Sequence, residues 1–491
     1  MKKGLLLIFT ISVLSVCYGQ IPQDNHSSEI KKWGIRECVE YALENSLTVK
    51  RSLYGLETSE INNRQAKWTM APSLNFGGSY NNSWGRTIDP TTNLFTTERF
   101  QTSGVNGTSS WLLFQTSRLR NTYKQAKIDL EASKYDLEAS KDLVILNVIT
   151  FYTNVVFNKE QYNNTLSQLN STQQLVERTK IQLDAGAVPQ AQLYDLMAQQ
   201  ATNEVSVINA ENNYNLSLLQ LKQALQIPSF EPFDVEIPEI ELTEFPMVSL
   251  SGDEIFKIAL GIMPDIKSAN LGIKSANLGI KIAQAQLYPA IRLNASLNTN
   301  YSSVRDTDRR VATGETQTIP PIPFGTVNLD PNLVIFTYPF DNSPVFQTFE
   351  DYPLAEQFKD NIGRSISLSI SIPVFNGFAV SSSVQRAIIL QKQAEILLEE
   401  RSNNLRQNIE RSYNDVLAAK KSYDASVRQV DAQEESFRVT ERSYELGASN
   451  FIDFQVAQNN LFQAKTNLLI AKYDFIFKTE ILKFYQGELD Y

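Results

Sequence analysis

Residue types that do chemistry are scarce in this chain, and they do not gather. Among 491 residues there is one histidine, His26, and there are two cysteines, Cys17 and Cys38. No His/Cys cluster has the spacing of a metal site. There is no Gly-rich phosphate loop and no nucleophile elbow. No constellation of acid, base and nucleophile recurs on nearby elements, so the chain reads as a non-enzyme without cofactor or metal. His26 lies in a polar leader and is read as inert. Cys38 sits on the apolar side of a helical pattern and is read as a small buried hydrophobe. Four residues still draw notice. Gly186 and Gly447 each stop a very long helical run, and Pro189 and Asp453 stand where the next runs begin. Asp453 opens a new helical run, where the helix dipole favours an acid. Its carboxylate is also a hard oxygen donor.

The elements around these residues explain their placement. From Gln115 to Leu183 there is no proline, and Leu130, Leu137, Leu143, Leu146 and Ile149 recur at helical spacing. Ser381 to Leu446 reads the same way. Each run spans roughly 65–70 residues, on the order of 100 Å at the helical rise. Such length with sustained periodicity implies a coiled coil or a helical tube. Glycine accepts the left-handed conformation that closes a helix. A new helix then starts after Pro189 in one case and Asn450 in the other, both ordinary entry signals. Each half of the chain therefore carries a helical hairpin with a tight turn.

The halves are copies. The segment from Glu37 aligns with that from Glu254: Ala42-Leu43 meets Ala259-Leu260, and Pro72 meets Pro289, at an offset of 217. Phe114 meets Phe375 and Gly186 meets Gly447, at an offset of 261. The 44-residue difference falls between Pro289 and Phe375. The first repeat is read as 20–250 and the second as 251–491. Within the second, IKSANLGIKSANLGIK repeats a heptad verbatim from Ile266. Ile266, Ala269, Ile273, Ala276 and Ile280 form one seam, with Leu271 and Leu278 well round the other side. A helix in a wall has neighbours on both sides and needs both surfaces.

Between the helices the period changes to two. Leu74, Phe76, Tyr80 and Trp84 alternate with Ser73, Asn75, Ser79 and Asn81. Ile291, Leu293, Ala295 and Leu297 alternate with Arg292, Asn294 and Ser296. Ile366, Leu368 and Ile370 alternate with Ser365, Ser367 and Ser369. These are strands with one apolar and one small polar face, expected at about 72–113 and about 289–374. A further strand, roughly Phe100 to Trp111, alternates poorly and is held by repeat symmetry. At about 10–13 residues such strands cross a membrane when tilted. Tyr80, Trp84 and Tyr301 lie toward one end, as a girdle would. Four strands cannot close a barrel, and open edges are forbidden in lipid, so the chain must oligomerise, as two, three or more copies. The surplus residues, about 302–361, carry PPIPF and further prolines and are expected as one long extracellular loop.

The N-terminus, MKKGLLLIFTISVLSVCYGQ, has two lysines, an apolar run and then Gly19 before Gln20. Residues 1–19 are read as a signal peptide. Cys17 also admits a lipoprotein reading, against which Val16 counts. Without Lys2 and Lys3, 54 acids face 43 bases, a net charge of -11 that argues against nucleic-acid binding.

These features resemble the TolC-like outer-membrane efflux protein family. The resemblance rests on the strand entries at Ala66/Pro72 and Ala285/Pro289, the strand exits at Phe114 and Phe375, and the turns at Gly186 and Gly447. It covers nearly the whole chain after the signal peptide. It implies a mixed α and β membrane protein, a homotrimer. Its 12-stranded transmembrane β-barrel would run into a long periplasmic α-helical coiled-coil tube. It implies an exit duct of a tripartite efflux or type I secretion system, in the outer membrane. Substrates would come from an inner-membrane pump through a periplasmic adaptor, and the partners would include outer-membrane lipid but no nucleic acid. It places Gly186 and Gly447 at the periplasmic tip and assigns Tyr444 and Asp453 to the pore constriction. A second family aspartate is absent, since Val456 stands there. The positions that make closing contacts hold Gln192 and Ser449, so the usual charged pairing is not carried over. The competing reading is a secreted coiled-coil scaffold or adhesin with β-rich ends.

Overall fold

The computed structural model describes residues 32–488, except 90–92, 94, 98, 238–249, 306–308, 319, 328–330, 337–342 and 350. The expected signal peptide, Cys17 and His26 lie outside the described residues. The period-two segments form strands. They are β2 (Ser73–Ser83), β5 (Phe100–Phe114), β7 (Ala290–Ser302) and β12 (Gly363–Ser371), paired as one antiparallel sheet in the order β12-β7-β5-β2, with a two-residue pair, β3 (Thr87–Ile88) and β4 (Phe95–Thr96), between β2 and β5 in sequence. β5 pairs with β7 along its length, so one strand from each repeat joins the halves. β2 and β12 are the free edges.

Between β12 and β7 the register from Ser365 to Ile370 sets polar against polar and apolar against apolar. Ser369 lies opposite Arg292, Ser367 opposite Asn294 and Ser365 opposite Ser296, while Ile370, Leu368 and Ile366 oppose Ile291, Leu293 and Ala295. Hydrogen bonds zip the polar face: Ser110 Oγ donates to Asn294 Oδ1 at 2.9 Å, and the Ser296 and Ser365 hydroxyls lie 2.8 Å apart. On the apolar face the Phe76 ring lies over Gly107, where an added Cβ would stand 3.4 Å from it. β5 alternates poorly because this face of it also carries Ser109 and Ser103, opposite Leu74 and Tyr80.

The stretch 302–361 differs from the loop expected. It carries β8 (Arg309–Gln317) paired with β11 (Ser343–Phe349), β9 (Pro323–Thr326) paired with β10 (Val334–Phe336), and α7 (Leu354–Asp360). Prolines did not prevent this pairing. Pro344 sits inside β11, and the ladder takes a register shift just after it. Gln357 of α7 is buried and fastens the excursion to the sheet: it accepts from Ser302 N–H at 3.0 Å and donates to Ser302 C=O at 3.1 Å.

The long runs are helices. α3 (Arg118–Asp184) and α8 (Ala379–Glu445) have 67 residues each, and α4 (Gln190–Leu225) and α9 (Phe451–Gln486) have 36 each. The shorter α2 (Leu47–Trp68) and α6 (Pro264–Gln284) lead into β2 and β7. Two smaller helices, α1 (Ile35–Asn45) and α5 (Gly252–Ile262), pack in equivalent places. α1 buries Cys38, Val39 and Ala42 against Val148, Tyr152 and Leu221; α5 buries Ile255, Phe256 and Ala259 against Ile409, Val416 and Phe475. Burial pushes the Cys38 thiol up to about 12, with the Glu37 carboxylate adding to the effect. A two-residue parallel pair, β1 (Lys32–Trp33) with β6 (Asp234–Val235), ties the segment before α1 to the segment after α4. Burial works against the Asp234 carboxylate there. Donors from Lys159 Nζ (2.7 Å) and Tyr214 Oη (2.6 Å) outweigh it and hold its pKa below the usual range.

α6 packs between α3 and α8, so the repeated heptad does use both surfaces. The seam differs in detail. Ile266, Ala269 and Leu271 are buried, whereas Ile273, Ala276 and Ile280 are only half-buried. Buried Ser268 and Ser275 take part instead: Ser268 Oγ donates to Asp136 at 2.5 Å, and Gln125 Nε2 donates to Ser275 Oγ at 3.3 Å.

Candidate functional site at the hairpin tips

The two helical hairpins end alike. At the end of α3, Gly186 has φ +71°. Its N–H donates to Leu183 C=O, and Ala187 N–H donates to Gln182 C=O, both at 2.8 Å. At the end of α8, Gly447 has φ +73°, with Gly447 N–H to Tyr444 C=O at 3.0 Å and Ala448 N–H to Ser443 C=O at 2.8 Å. This nested pair of bonds is the Schellman ending, and it needs the left-handed conformation at which glycine carries no Cβ penalty. α4 then starts after Pro189. α9 starts after Asn450, whose Oδ1 accepts from Asp453 N–H at 2.8 Å.

Tyr444 is the centre of the contacts at this end. Gln192 Nε2, in the first turn of α4, donates to Tyr444 Oη at 2.7 Å. The bond joins the two hairpins across 252 positions of sequence. The Tyr444 ring stacks on Phe454, with centroids 4.9 Å apart and planes at 25°, and leans on Phe451 at 6.3 Å. Phe437 closes on Phe454 from the preceding turns of α8, at 5.7 Å. Phe454 is buried, and Tyr444 is half-buried. Arg178 of α3 faces Glu445 at 3.7 Å, and Arg442 approaches the other oxygen of that carboxylate at 3.5 Å. Exposed pairs of this length contribute little stability. A crevice of about 660 Å³ runs between α3 and the α8/α9 pair, lined by Arg178, Glu441, Tyr444, Phe454 and Lys465 among others.

Asp453 is exposed, in the first turn of α9, and flanked by exposed Ile452 and Val456. The structure thus places Tyr444 and Asp453 on either side of the Gly447 turn, with Phe451 and Phe454 packed against the Tyr444 ring. It bonds Tyr444 to Gln192 rather than to an acid. Ser449 makes only local contacts, its N–H reaching Ser443 C=O at 3.3 Å. The aromatic cluster and the Arg178–Glu445 contact were not read from the sequence. A signal for the first was present: Phe437 and Tyr444 are seven apart on one face of α8, and Phe451 and Phe454 are three apart on α9.

At the other end of the molecule, the polar face of the sheet is lined by Ser, Asn, Thr and Gly, and Arg292 is its one charged residue among the four strands. Among the described residues there is no group of three or more His, Cys, Asp or Glu that could hold a metal ion. No helix among them is long and apolar enough to cross a membrane.

The family model described as outer membrane efflux protein matches residues 38–225 and 355–485. Over 366 residues the chain is 22% identical to Outer membrane protein TolC of Escherichia coli (strain K12), covering 72% of this chain and 63% of that protein. Over 212 residues it is 23% identical to Nodulation protein T of Rhizobium leguminosarum bv. viciae, covering 41% and 42%. The matches therefore span less than two thirds of these relatives. Among solved structures, CusC superposes with TM-score 0.72 at 17% identity, over 93% of this chain and 92% of CusC. VceC of Vibrio cholerae gives 0.69 at 15%, over 92% and 96%. At these identities the structural likeness is one of fold.

Proposed function

The chain belongs to the outer membrane efflux protein family, and from that premise we propose that it is the exit duct of a tripartite efflux or type I secretion system. It resides in the outer membrane, with its helical tube in the periplasm. In the proposed assembly three copies close a 12-stranded barrel. Substrates delivered by an inner-membrane pump through a periplasmic adaptor pass through it without energy input at the duct itself. AprF, a relative named as an alkaline protease secretion protein, supports the secretion arm.

One observation carries the reading. The sheet has free edges at β2 and β12, an apolar face and a polar face, and among the described residues α7 packs only at the Ser302 end of β7 while Leu74, Phe76, Leu368 and Ile370 stay exposed. Unpaired strand edges cannot stand in hydrocarbon, so the edges must meet other copies. The helical wall repeats the pattern. α2 exposes Leu53, Tyr54 and Ile61 away from α3, and α8 exposes Ile389, Leu390 and Ile396 away from α6. Edge joined to edge, the strands become a barrel with a polar lumen and the helices become its continuation.

In the proposed duct the tip is the constriction. Tyr444 and Asp453 lie at its narrowest part, and the Gly186 and Gly447 turns form its rim. The test is direct. The protein extracted from outer membranes should run as a trimer in detergent and conduct in a planar bilayer. A monomer that forms no channel would sink the proposal.

A further inference from the structure

Acids are missing from one level of this molecule. The stretches 61–88, 99–128, 266–305 and 361–394 contain no Asp or Glu, in a chain with 54 acids and only 45 bases. The strands account for part of this, since charges do not suit a barrel wall. The helices leading from the strands need another reason, because bases are retained there. Within eight residues of the barrel end, α2 carries Arg64 and Lys67, α3 carries Arg118, Arg120 and Lys124, α6 carries Lys281 and α8 carries Arg386. The first acids appear only beyond, at Glu60, Asp129, Asp265 and Glu395.

These bases also differ in their bonding. Farther down the tube, bases pair with acids one turn away, as in Lys141–Glu138, Lys420–Asp424 and Lys478–Asp474. Among the described residues, none of the seven collar bases forms an ion pair; Arg118 and Arg386 hydrogen-bond only to Gln115 and Ser383. All except half-buried Arg118 are exposed. Just above them sits an exposed aromatic ring set: Trp68, Phe114, Tyr288, Phe375 and Phe378, with Trp111 donating its indole N–H to Met70 C=O at 2.8 Å. Aromatic residues gather where hydrocarbon meets headgroups.

We propose that this collar binds the anionic phosphate headgroups of the inner leaflet of the outer membrane. The occupant follows from position and charge. The collar continues the lipid-facing apolar strands past their aromatic border, and eight helical residues reach only about 12 Å below it. That distance matches a headgroup layer plus roughly one Debye length. Bases at such a surface attract anionic lipid, and an acid among them would oppose it. With three copies, as in the duct proposed above, the collar is a ring around the base of the barrel.

The full-length protein in phosphatidylcholine vesicles provides the test. Spin-labelled phosphatidylglycerol and spin-labelled phosphatidylcholine report the lipid held at the protein surface. The wild type should hold phosphatidylglycerol about threefold or more over phosphatidylcholine at low salt, and about equally at 1 M salt. Lys67→Gln/Arg120→Gln/Lys124→Gln/Lys281→Gln should abolish the preference. The same loss of charge farther down, Lys180→Gln/Arg411→Gln/Lys421→Gln/Arg428→Gln, should keep it. Should the collar variant fail to fold, the salt response of the wild type still decides. Equal binding of both lipids by the wild type overturns the proposal, as does a preference that survives in the collar variant. If that variant keeps its lipid preference but shifts the channel's reversal potential, the bases face the duct and not lipid. A protein that selects the lipid but never conducts refutes the duct while leaving the collar standing.

Discussion

Removing one oxygen from Tyr444 tests the tip. Tyr444→Phe deletes the hydroxyl that accepts from Gln192 at 2.7 Å and leaves the ring free to stack on Phe454. A neutral hydrogen bond of this kind contributes about 1 kcal/mol net. In a trimer it occurs three times, so the closed tip loses about 3 kcal/mol if all three links must part on opening. At 1.4 kcal/mol per factor of ten, the open-to-closed ratio should rise about 100-fold. Single-channel recording on purified trimers reads that ratio as open time at fixed voltage. Gln192→Ala removes the same bond from the other side and should produce a rise of similar size. The double variant should add little, because the two residues share one interaction. If both single variants keep wild-type open times while Phe454→Ala opens the channel, stacking alone closes the tip. If all three are silent, the Gln192–Tyr444 contact is a static brace within one subunit, and the constriction lies elsewhere.

Four further outcomes are expected. Asp453→Asn should reduce cation preference and block by divalent ions in a planar bilayer, and unchanged selectivity would leave Asp453 as a helix-start residue favoured by the dipole. Ile370→Arg should destabilise the barrel by about 2–4 kcal/mol, whereas Ser369→Arg should be tolerated and alter conductance; thiol labelling of cysteines placed at both positions checks which face meets water. Protease added to intact cells should nick the 302–361 excursion, and cutting only after the outer membrane is opened would reverse the topology. Burial, with Glu138 and Asp265 adding and Lys141 opposing, pushes Asp142 up to about 6. Its proton is then held more tightly folded than unfolded, so stability should fall as pH rises from about 4 to about 6 and level off above. Asp142→Asn should flatten that slope in thermal melts and gain about 1 kcal/mol at neutral pH, a figure discounted for the group's partial exposure.

Local rules were the legible part. Strand faces follow from strict alternation at Ile366 to Ile370, and helix ends from Gly186 and Gly447, because each is decided by neighbours in sequence. The Gln192–Tyr444 bond could not be read that way. It depends on how two hairpins lean together across 252 positions, and nothing local to either residue announces it. The 302–361 excursion hid its strands for another reason. Prolines mark it as unsuited to a membrane ladder, which says nothing against short hairpins in water, where Pro344 can sit at a register shift. Buried Ser268 and Ser275 leave no trace in an apolar periodicity, because a serine counts there as a polar, outward position.

Those serines explain how a seven-residue period serves a wall. Between α2 and α3, Ser52 meets Ser140 at 2.6 Å and Ser59 meets Ser133 at 2.7 Å, seven residues apart on both antiparallel helices. α6 holds the opposite flank of α3 through Ser268 and Ser275, again seven apart. In the lower hairpins the buried seams repeat as Leu196, Asn203, Ala210 and Ser217 on α4, and as Ala457, Ala464 and Ala471 on α9. Asn203 Nδ2 donates to Thr172 Oγ1 at 2.8 Å inside the first of these. A coiled-coil pair can fill one seam with leucine. A helix with neighbours on two sides gains from small side chains, which let both approach closely. Hydroxyl and amide bonds then fix the register, since a slip would leave those buried groups without partners. A heptad duplicated verbatim in α6 suits such a wall, because each residue lands about 10.5 Å along the same seam, as buried Ser268 and Ser275 do against α3. The period is a property of the wall, and the repeated heptad is its plainest trace in the sequence.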